Sequence, residues 1–340
     1  MSDSLTYLDL DRWQELVEAC PTSLAFHHRN WLELFVEQYG CKALIPAIER
    51  DGEIAAAVPF LAIRGMTGKR KLVSLPYSDC VPVLPFAEEP VDALFRTIRA
   101  ELGPQYTEIV IRSERPLPMA ICDSNQVRHV LRTDRTYEQL RAGYPKTLVR
   151  VLKSFGKQDM NVQWRTDSEA MDVFYNLQVK TRHKLGVPVQ PRQYFRRLHR
   201  HMIAAGLGCV GIASLDGRPL ASAVLLTYKR SVIYKYGASE PSMLHCHPND
   251  IMFDHALRRA CEGNFDTFDF GLSAKSQAGL RRFKSKWGAE ESELYHAYLE
   301  GEPVPRVEQS RTFKVVSFAI RHSPPAVCRC LGEALYRFSQ

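Results

Sequence analysis

The chain has 340 residues, of which 45% are hydrophobic and 24% are charged. This composition excludes a disordered chain, and the 19 Gly and 20 Pro exclude collagen-like or low-complexity architecture. The 45 Lys and Arg residues outnumber the 38 Asp and Glu residues by 7, a modest excess that permits anionic partners without requiring them.

Cysteine usage and hydropathy indicate the compartment. The nine cysteines are scattered and odd in number, unlike a secreted disulfide framework. The first residues carry neither the basic stretch nor the apolar run of a secretory signal. A membrane-spanning helix needs about 20 consecutive apolar residues, and the longest candidate, residues 55–63, is short and contains Pro59. We therefore expect a soluble cytoplasmic protein.

The second half of the chain alternates between strand and helix patterns. Residues 161–300 predict the order β-α-α-β-β-β-α-β-α-β. Asn249 is expected to cap the helix that follows it. Tyr234 and Tyr236 are two residues apart in a predicted strand, so they are expected to share one face of it.

The first half predicts the same unit a second time, without sequence identity between the copies. Its expected elements include strands over 41–49, 53–63, 71–75 and 107–111, a helix over 91–102 and a closing strand over 126–132. The last strand of the second half is expected over residues 293–299.

Four stretches carry a family resemblance. They are Leu75-Pro76-Tyr77-Ser78-Asp79, Pro248-Asn249-Asp250, Phe268-Asp269-Phe270-Gly271 and Gly279-Leu280-x-x-Phe283-Lys284-x-x-Trp287-Gly288. With the element order, they resemble the FemAB-like branch of the GNAT acyltransferase superfamily. That branch includes peptidoglycan interpeptide-bridge transferases and acyltransferases of exopolysaccharide loci.

The resemblance implies an α/β fold with mixed sheets, built as two tandem GNAT-like domains with a cleft between them and a helical C-terminal tail. The expected domains are residues 1–135 and 161–303, with a basic helical linker over 136–160 and an amphipathic tail over 304–340. Pro324-Pro325 should divide the tail into two short helices, which either dock on the domain or lie on an anionic membrane.

Three residues are candidates for catalysis. Lys284 lies on a stripe with Phe283 and Trp287, where a lysine either extends its ammonium to solvent or meets an anion. The resemblance implies the second, as contact with a substrate phosphate or with the reacting carbonyl. Asp269 either orients the amine or acts as base, or forms a structural ion pair. Tyr236 is either a core aromatic or the acid for the leaving group.

Five residues are candidates for substrate binding. The resemblance places Tyr77, Ser78 and Asp79 at the cleft, although Ser and Asp also suit a plain turn. Tyr234 is either a core aromatic or a contact for the acyl chain. Arg182, at the end of a predicted helix, either complements the helix dipole or binds an anion.

An acyl-CoA co-substrate is the donor that the resemblance implies. Asn249 and Asp250 begin the helix that presents its N-terminus to the coenzyme A pyrophosphate in GNAT-like proteins. Here the usual glycine-rich loop is replaced by Leu244-His245-Cys246-His247-Pro248, and a carboxylate at Asp250 repels phosphate. The pair His245 and His247 lacks a second ligand pair with zinc spacing, so no metal is expected.

Three functions remain open from the sequence. The first is an N-acyltransferase that moves an acyl group from acyl-CoA to an amine of a cell-envelope saccharide or its precursor, with peripheral contact to the inner membrane face through the tail. The second is aminoacyl transfer from tRNA to a peptidoglycan precursor. The third is a non-catalytic scaffold of transferase fold, which gains weight because no residue is an unambiguous base.

Overall fold

The computed structural model describes residues 4–65, 68–117, 119–155, 160–303 and 311–336. By their contacts these residues form two compact units. The first unit comprises residues 4–128 and 292–303, and the second comprises residues 129–291 and 311–336. The domain boundaries drawn from the sequence stay a prediction.

The elements of the first 132 residues are mostly short strands. The strands are β1 (Ser4–Tyr7), β2 (Lys42–Leu44), β3 (Pro46–Arg50), β4 (Glu53–Ala57), β5 (Phe60–Arg64), β6 (Arg70–Val73), β7 (Glu108–Ser113) and β8 (Ile121–Arg132). The helices are α1 (Leu10–Ala19), α2 (Arg29–Tyr39) and α3 (Glu88–Leu102).

The rest of the chain is richer in helix. The helices are α4 (Tyr137–Ala142), α5 (Lys146–Phe155), α6 (Ser168–Leu185), α7 (Arg192–Leu198) continued by a π-helical turn (His199–Ile203), α8 (Pro248–Glu262), α9 (Ala278–Ser285), α10 (Arg311–Arg321) and α11 (Pro325–Leu335). The strands are β9 (Asn161–Arg165), β10 (Gly208–Leu215), β11 (Arg218–Tyr228), β12 (Ser231–Ser239), β13 (Thr267–Ala274) and β14 (Glu290–Glu300).

Two strands expected in the first half are each divided into two. The stretch 41–49 forms β2 and β3, and the stretch 53–63 forms β4 and β5. Proline has no N–H and interrupts a strand ladder, and Pro59 lies between β4 and β5. The pieces then join different sheets: β3 and β4 pair in a three-stranded sheet with β1, whereas β2 pairs with β5.

The main sheet of the first unit contains β2, β5, β6, β7 and β14 in that order. Strand β14 was expected in the second half, but it pairs antiparallel with β7 in the first unit, with Ala297 opposite Ile111. Both residues are fully buried and pack in one apolar cluster with α3. The strand is thus held by the core that it completes, at a gain of about 25 cal/mol for each Å² of apolar surface buried.

The sheet of the second unit has the order β13, β12, β11, β10, β9. Each neighbouring pair from β9 through β10 and β11 to β12 is antiparallel. Strands β12 and β13 are parallel, and the crossover helix α8 connects them. The apolar residues of α8 recur at helical spacing, and Phe253, Ala256, Leu257 and Ala260 are all buried. The first unit repeats this arrangement: β5 and β6 are antiparallel, β6 and β7 are parallel, and α3 connects them.

The segment expected as a basic linker is helical and packs on α8 of the second unit. The Tyr137 hydroxyl of α4 donates to both carboxylate oxygens of Asp254 at 2.8 Å. Leu148 and Leu152 of α5 are buried in the same core cluster as α8. Within the described ranges, no helix is long and apolar enough to cross a membrane.

Candidate active site

The parallel strands β12 and β13 separate part of the way along. Their ladder pairs Ser231 with Thr267 and ends with Ile233 opposite Asp269. Strand β12 continues to Ser239 and β13 continues to Ala274. Beyond the ladder, the facing backbone groups of the two strands do not bond to each other, so the opening can accept hydrogen-bonding groups of a ligand.

Asp269 and Lys284 meet at Gly271, just past the end of this ladder. Asp269 is 1% exposed, and its Oδ1 accepts the Gly271 N–H at 2.7 Å. Lys284 reaches β13 from α9, is 5% exposed, and donates from Nζ to the carbonyl oxygens of Gly271 at 2.9 Å and Leu272 at 2.8 Å. Gly271 has a φ of +71°, a conformation that a residue with a Cβ rarely adopts.

The helical spacing of the Lys284 motif predicts only part of the observed burial. Trp287 is 1% exposed, as its place on the stripe predicts, whereas Leu280 is 40% exposed. The lysine therefore does not extend its ammonium to solvent. A buried ammonium is costly unless polar groups surround it, and the two carbonyl oxygens of β13 supply that contact.

His129 belongs to the same cluster, and the sequence analysis did not identify it. It lies on β8, its side chain is fully buried, and neither ring nitrogen makes a hydrogen bond within the described residues. Its Nδ1 is 3.7 Å from Glu291 Oε1. Burial, and next the Lys284 ammonium, lower the pKa of His129 to about 4, so the ring is neutral near pH 7.

A sequence signal for His129 existed. Val127, His129 and Leu131 alternate along β8, and all three are buried. A histidine at an apolar position of an alternating strand points to a buried polar group. Alternation alone does not show that Lys284 lies beside it, because the two residues are far apart in the chain.

Tyr234 and Tyr236 do not share one face, and that prediction is wrong. Val224 pairs with Tyr236 but the next residue, Leu225, pairs with Tyr234, so Lys235 is an extra residue in a β-bulge. The ring of Tyr234 stacks on Phe253 of α8 at 4.4 Å. The Tyr236 hydroxyl instead lies 2.8 Å from the hydroxyl of Tyr194 on α7. The bulge changes the alternation that the prediction assumed.

The burial of Tyr234 limits its chemistry. Desolvation raises the pKa of its hydroxyl well above the ordinary value, so it stays protonated. Tyr236 is half-buried, and its ring packs edge-on against Phe195 at 5.5 Å. Of the two tyrosines, Tyr236 is the one whose hydroxyl is already in a hydrogen-bonded pair that can pass on a proton.

The N-terminus of α8 differs from the prediction. The cap residue is His247, with a φ of +50°, and Asn249 is the second residue of the helix. Pro248 has no N–H, and the N–H groups of Asp250 and Ile251 both donate to the His247 carbonyl. Proline at the first helical position shifted the cap by two residues, since its fixed φ suits that position.

Asp250 occupies the place where an anion would bind. Its Oδ1 accepts from the Lys286 ammonium, and its Oδ2 is 3.1 Å from His247 Nδ1. A carboxylate in the first turn already complements the helix dipole. The residues present therefore do not form the phosphate cradle that coenzyme A meets at this helix in GNAT-like proteins.

Arg182 forms a hydrogen bond to the C-terminal tail and does not line the opening between β12 and β13. Its Nε donates to the Pro188 carbonyl at 3.1 Å, and its Nη2 donates to the Tyr336 hydroxyl at 3.0 Å. The neighbouring His183 Nε2 lies 2.6 Å from the Ser323 carbonyl. These contacts favour the structural alternative for Arg182, at the C-terminal end of α6.

Tyr77, Ser78 and Asp79 lie in the first unit, in a turn with unusual backbone angles. Tyr77 has a φ of +60°, and its ring stacks on Phe35 at 5.7 Å. The Ser78 hydroxyl is buried and accepts the indole N–H of Trp31 at 2.7 Å. Its carbonyl accepts from Arg112, whose pKa is lowered by burial and raised in part by Asp79. Ser78 is thus hydrogen-bonded to Trp31 in the interior of the first unit, whereas Asp79 places a negative charge near Arg112.

Among the residues that the structure describes, no three His, Cys, Asp or Glu side chains form a group that could hold a metal ion.

Comparison with known families identifies the second unit. Residues 142–285 match the model of the acetyltransferase (GNAT) domain. The chain therefore contains a GNAT domain, and it is an enzyme of the acyltransferase class. The matched range ends at residue 285, so it includes Asp269, Gly271 and Lys284. A search of curated proteins finds no match.

Solved structures show the same fold over most of the chain. FemX has 16% identity and a TM-score of 0.69, over 86% of this chain and 96% of that one. The C-terminal domain of a putative lysylphosphatidylglycerol synthetase from Agrobacterium fabrum has 12% identity and a TM-score of 0.59, over 86% and 91%. A tandem GNAT protein from the clavulanic acid biosynthesis pathway has 12% identity and a TM-score of 0.55, over 89% and 100%.

These similarities confirm the fold class and the resemblance expected from the sequence. The chain is an α/β protein with mixed sheets, its fold matches a tandem GNAT protein, and its C-terminal end is helical. The expected resemblance is confirmed at the level of a GNAT domain over residues 142–285 and of a fold shared with FemX.

Proposed function

We propose that the protein transfers an acyl group from an activated ester to an amine of a cell-envelope saccharide or its precursor, at the opening between β12 and β13. The observation that carries this proposal is the convergence of Asp269 and Lys284 on Gly271 where the ladder ends. The GNAT match over residues 142–285 and the fold shared with FemX support it.

The reaction needs a polarised carbonyl and a neutral amine. The amine nitrogen forms a bond to the carbonyl carbon, the bond to the leaving sulfur or oxygen breaks, and the amine proton passes to the leaving group. The Lys284 ammonium places positive charge in a dry site where negative charge develops on the carbonyl oxygen. The carboxylate of Asp269 orients the amine or accepts its proton.

Two hydroxyls are suited to the later steps. Tyr236 is half-buried and hydrogen-bonded to Tyr194, an arrangement that can deliver a proton to the leaving group. The Ser273 hydroxyl on β13 is buried and makes no hydrogen bond within the described residues. A buried hydroxyl without a protein partner is satisfied when a polar group of a ligand binds beside it.

Acyl-CoA is the first donor to test, because a GNAT domain normally uses it. Titration calorimetry with acetyl-CoA at millimolar concentration measures its binding. A measurable heat with 1:1 stoichiometry supports this donor. Absence of binding counts against it, in line with the Asp250 carboxylate at the α8 N-terminus.

A second candidate donor is an aminoacyl ester of tRNA, which corresponds to the second function left open by the sequence. The observation in its favour is the same α8 N-terminus, which lacks a cradle for the coenzyme A pyrophosphate. Filter binding of aminoacyl-tRNA with a salt series tests it, since log affinity falls linearly with log salt when phosphates are contacted. The acceptor in this case is a peptidoglycan precursor.

The location of the chemistry has a direct test. Product formed from either donor by the unmodified chain, and strongly reduced in a folded Lys284→Met variant, supports chemistry at β13.

A further inference from the structure

The C-terminal tail docks on the second unit by one side of α10. Ser317 and Ile320 are buried, and the Arg321 Nη2 donates to the Leu185 carbonyl at 3.0 Å. A Cβ built on Gly186 would lie 2.3 Å from the Ser317 hydroxyl, so this contact requires glycine at that position. The docked side of α10 is therefore defined by close packing.

The other side of α10 exposes two large apolar side chains. Val315 is 69% exposed and Phe318 is 65% exposed, more than any other large hydrophobic side chain among the described residues. They are three residues apart and so lie next to each other on the helix. The Phe318 ring stacks on His322 at 4.1 Å, which extends the same stripe by one turn.

Basic residues accompany this stripe. Residues 313–336 contain three Lys and Arg residues (Lys314, Arg321 and Arg329) and one acidic residue (Glu333), a net charge of +2. Lys314 is exposed and adjoins Val315 in the chain. Apolar side chains beside cations complement a surface that is anionic outside and apolar beneath.

We propose that the α10 surface, defined as Lys314, Val315, Phe318 and His322, binds an anionic phospholipid membrane from its aqueous side. A stable protein interface buries about 800 Å² on each partner, which two neighbouring apolar side chains do not supply. A bilayer needs no matching shape, and each added cation near an anionic leaflet strengthens binding.

Vesicle co-sedimentation of the full chain tests this surface. Vesicles of pure phosphatidylcholine are compared with vesicles containing 30% phosphatidylglycerol, each at low and high salt. We expect binding to the anionic vesicles only, weakened by salt. Phe318→Glu is expected to reduce the bound fraction at least tenfold, because it places a charge where a ring inserts. Circular dichroism verifies that the variant remains folded.

Matched variants distinguish binding by this surface from nonspecific hydrophobic adsorption and from effects on catalysis. Ile121→Glu alters another exposed apolar residue, 52% exposed in the first unit, and should leave vesicle binding unchanged. Lys284→Met should keep vesicle binding while it lowers turnover by roughly 10²–10³, so the two proposals fail independently. Equal binding to both vesicle types, or loss of binding in Ile121→Glu, overturns the proposal. A concentration-dependent dimer that Phe318→Glu dissociates, with no vesicle binding, assigns the surface to a second copy instead.

Discussion

Asp269 and Lys284 bind the two backbone polar groups of the same residue. Asp269 accepts the Gly271 N–H at 2.7 Å, and Lys284 donates to the Gly271 carbonyl at 2.9 Å. Gly271 lies two residues past the end of the β12–β13 ladder. The two charged side chains therefore fix the path of β13 at the point where it departs from β12, and they place opposite charges beside the opening.

Replacement of Lys284 by methionine should separate its chemical role from its structural one. Methionine keeps the length and removes the charge. The carbonyls of Gly271 and Leu272 lose their donor, which costs about 1–3 kcal/mol for a buried group. We expect turnover to fall by roughly 10²–10³, the effect of removing one electrostatic contact to a developing oxyanion.

A lysine elsewhere in the second unit provides the control for this experiment. Lys229, in the turn between β11 and β12, is exposed. Lys229→Met should change neither turnover nor the free energy of unfolding by more than a few tenths of a kcal/mol. Unchanged turnover in a folded Lys284→Met enzyme would contradict the proposed role.

Gly271 is expected to matter for turnover beyond its effect on stability. An L-residue at a φ of +71° costs about 1–2 kcal/mol. Gly271→Ala therefore lowers the free energy of unfolding and also displaces the groups held by Asp269 and Lys284. Gly217 is the matched control, since it has a φ of +74° and nothing within 4 Å of an added Cβ.

The comparison between the two glycine variants is decisive. Urea unfolding should show a loss of stability in both variants, because both substitutions place a Cβ at a positive φ, and a larger loss in Gly271→Ala, where the groups held by Asp269 and Lys284 also move. Initial rates should fall only in Gly271→Ala. If both variants keep full turnover, the geometry at Gly271 does not position the reacting groups.

The periodic parts of the fold were predictable from the sequence. The α8 stripe around Phe253 is buried as its spacing predicts, and so is Lys284 on α9. The residues on the buried face of a helix follow from the fixed number of residues per helical turn. The order of elements in residues 161–300 follows from the same periodicity together with glycine and proline.

The missed features depend on one-residue irregularities or on distant contacts. The bulge at Lys235 turns Tyr236 toward α7, and no local signal marks it. Strand β14 joins the first unit because its apolar side fits the core there, a choice made by packing and not by propensity. The relation of His129 to Lys284 arises only once β8 and α9 are folded.

Ser78 is predicted to act in folding rather than in turnover. Its hydroxyl accepts the indole N–H of buried Trp31 at 2.7 Å. Ser78→Ala removes that acceptor and should lower the free energy of unfolding by about 1 kcal/mol. Turnover per folded molecule should stay unchanged, as measured by initial rates corrected for the folded fraction.

Ser242 supplies a comparison for this variant, because its side chain is exposed and the Glu240 carboxylate to which it donates also accepts from Lys180. Ser242→Ala should be nearly neutral for stability. A tenfold rise in KM for the acceptor in Ser78→Ala, with stability unchanged, would instead assign Ser78 to substrate binding, as the family resemblance implies.

Acid is expected to destabilise the protein through histidines that fold in the neutral form. Burial lowers the pKa of His129 to about 4, and burial also lowers the pKa of His296 to about 4. In an unfolded chain a histidine titrates near 6.5. Between these pH values the unfolded chain binds protons that the folded chain does not, so the free energy of unfolding falls as the pH is lowered from about 6.5 to 4.

His129 contributes to this dependence through named neighbours. Lys284 and Arg281 oppose its protonation, whereas Glu291 and Asp269 favour it, and burial outweighs them all. His129→Gln removes the titrating group, so the loss of stability between pH 6.5 and pH 4.5, measured by urea unfolding, should become smaller. An identical pH dependence in His129→Gln and in the unmodified chain would mean that His129 is accessible to protons in the folded protein. The description of the site with a neutral His129 ring beside Lys284 would then be wrong.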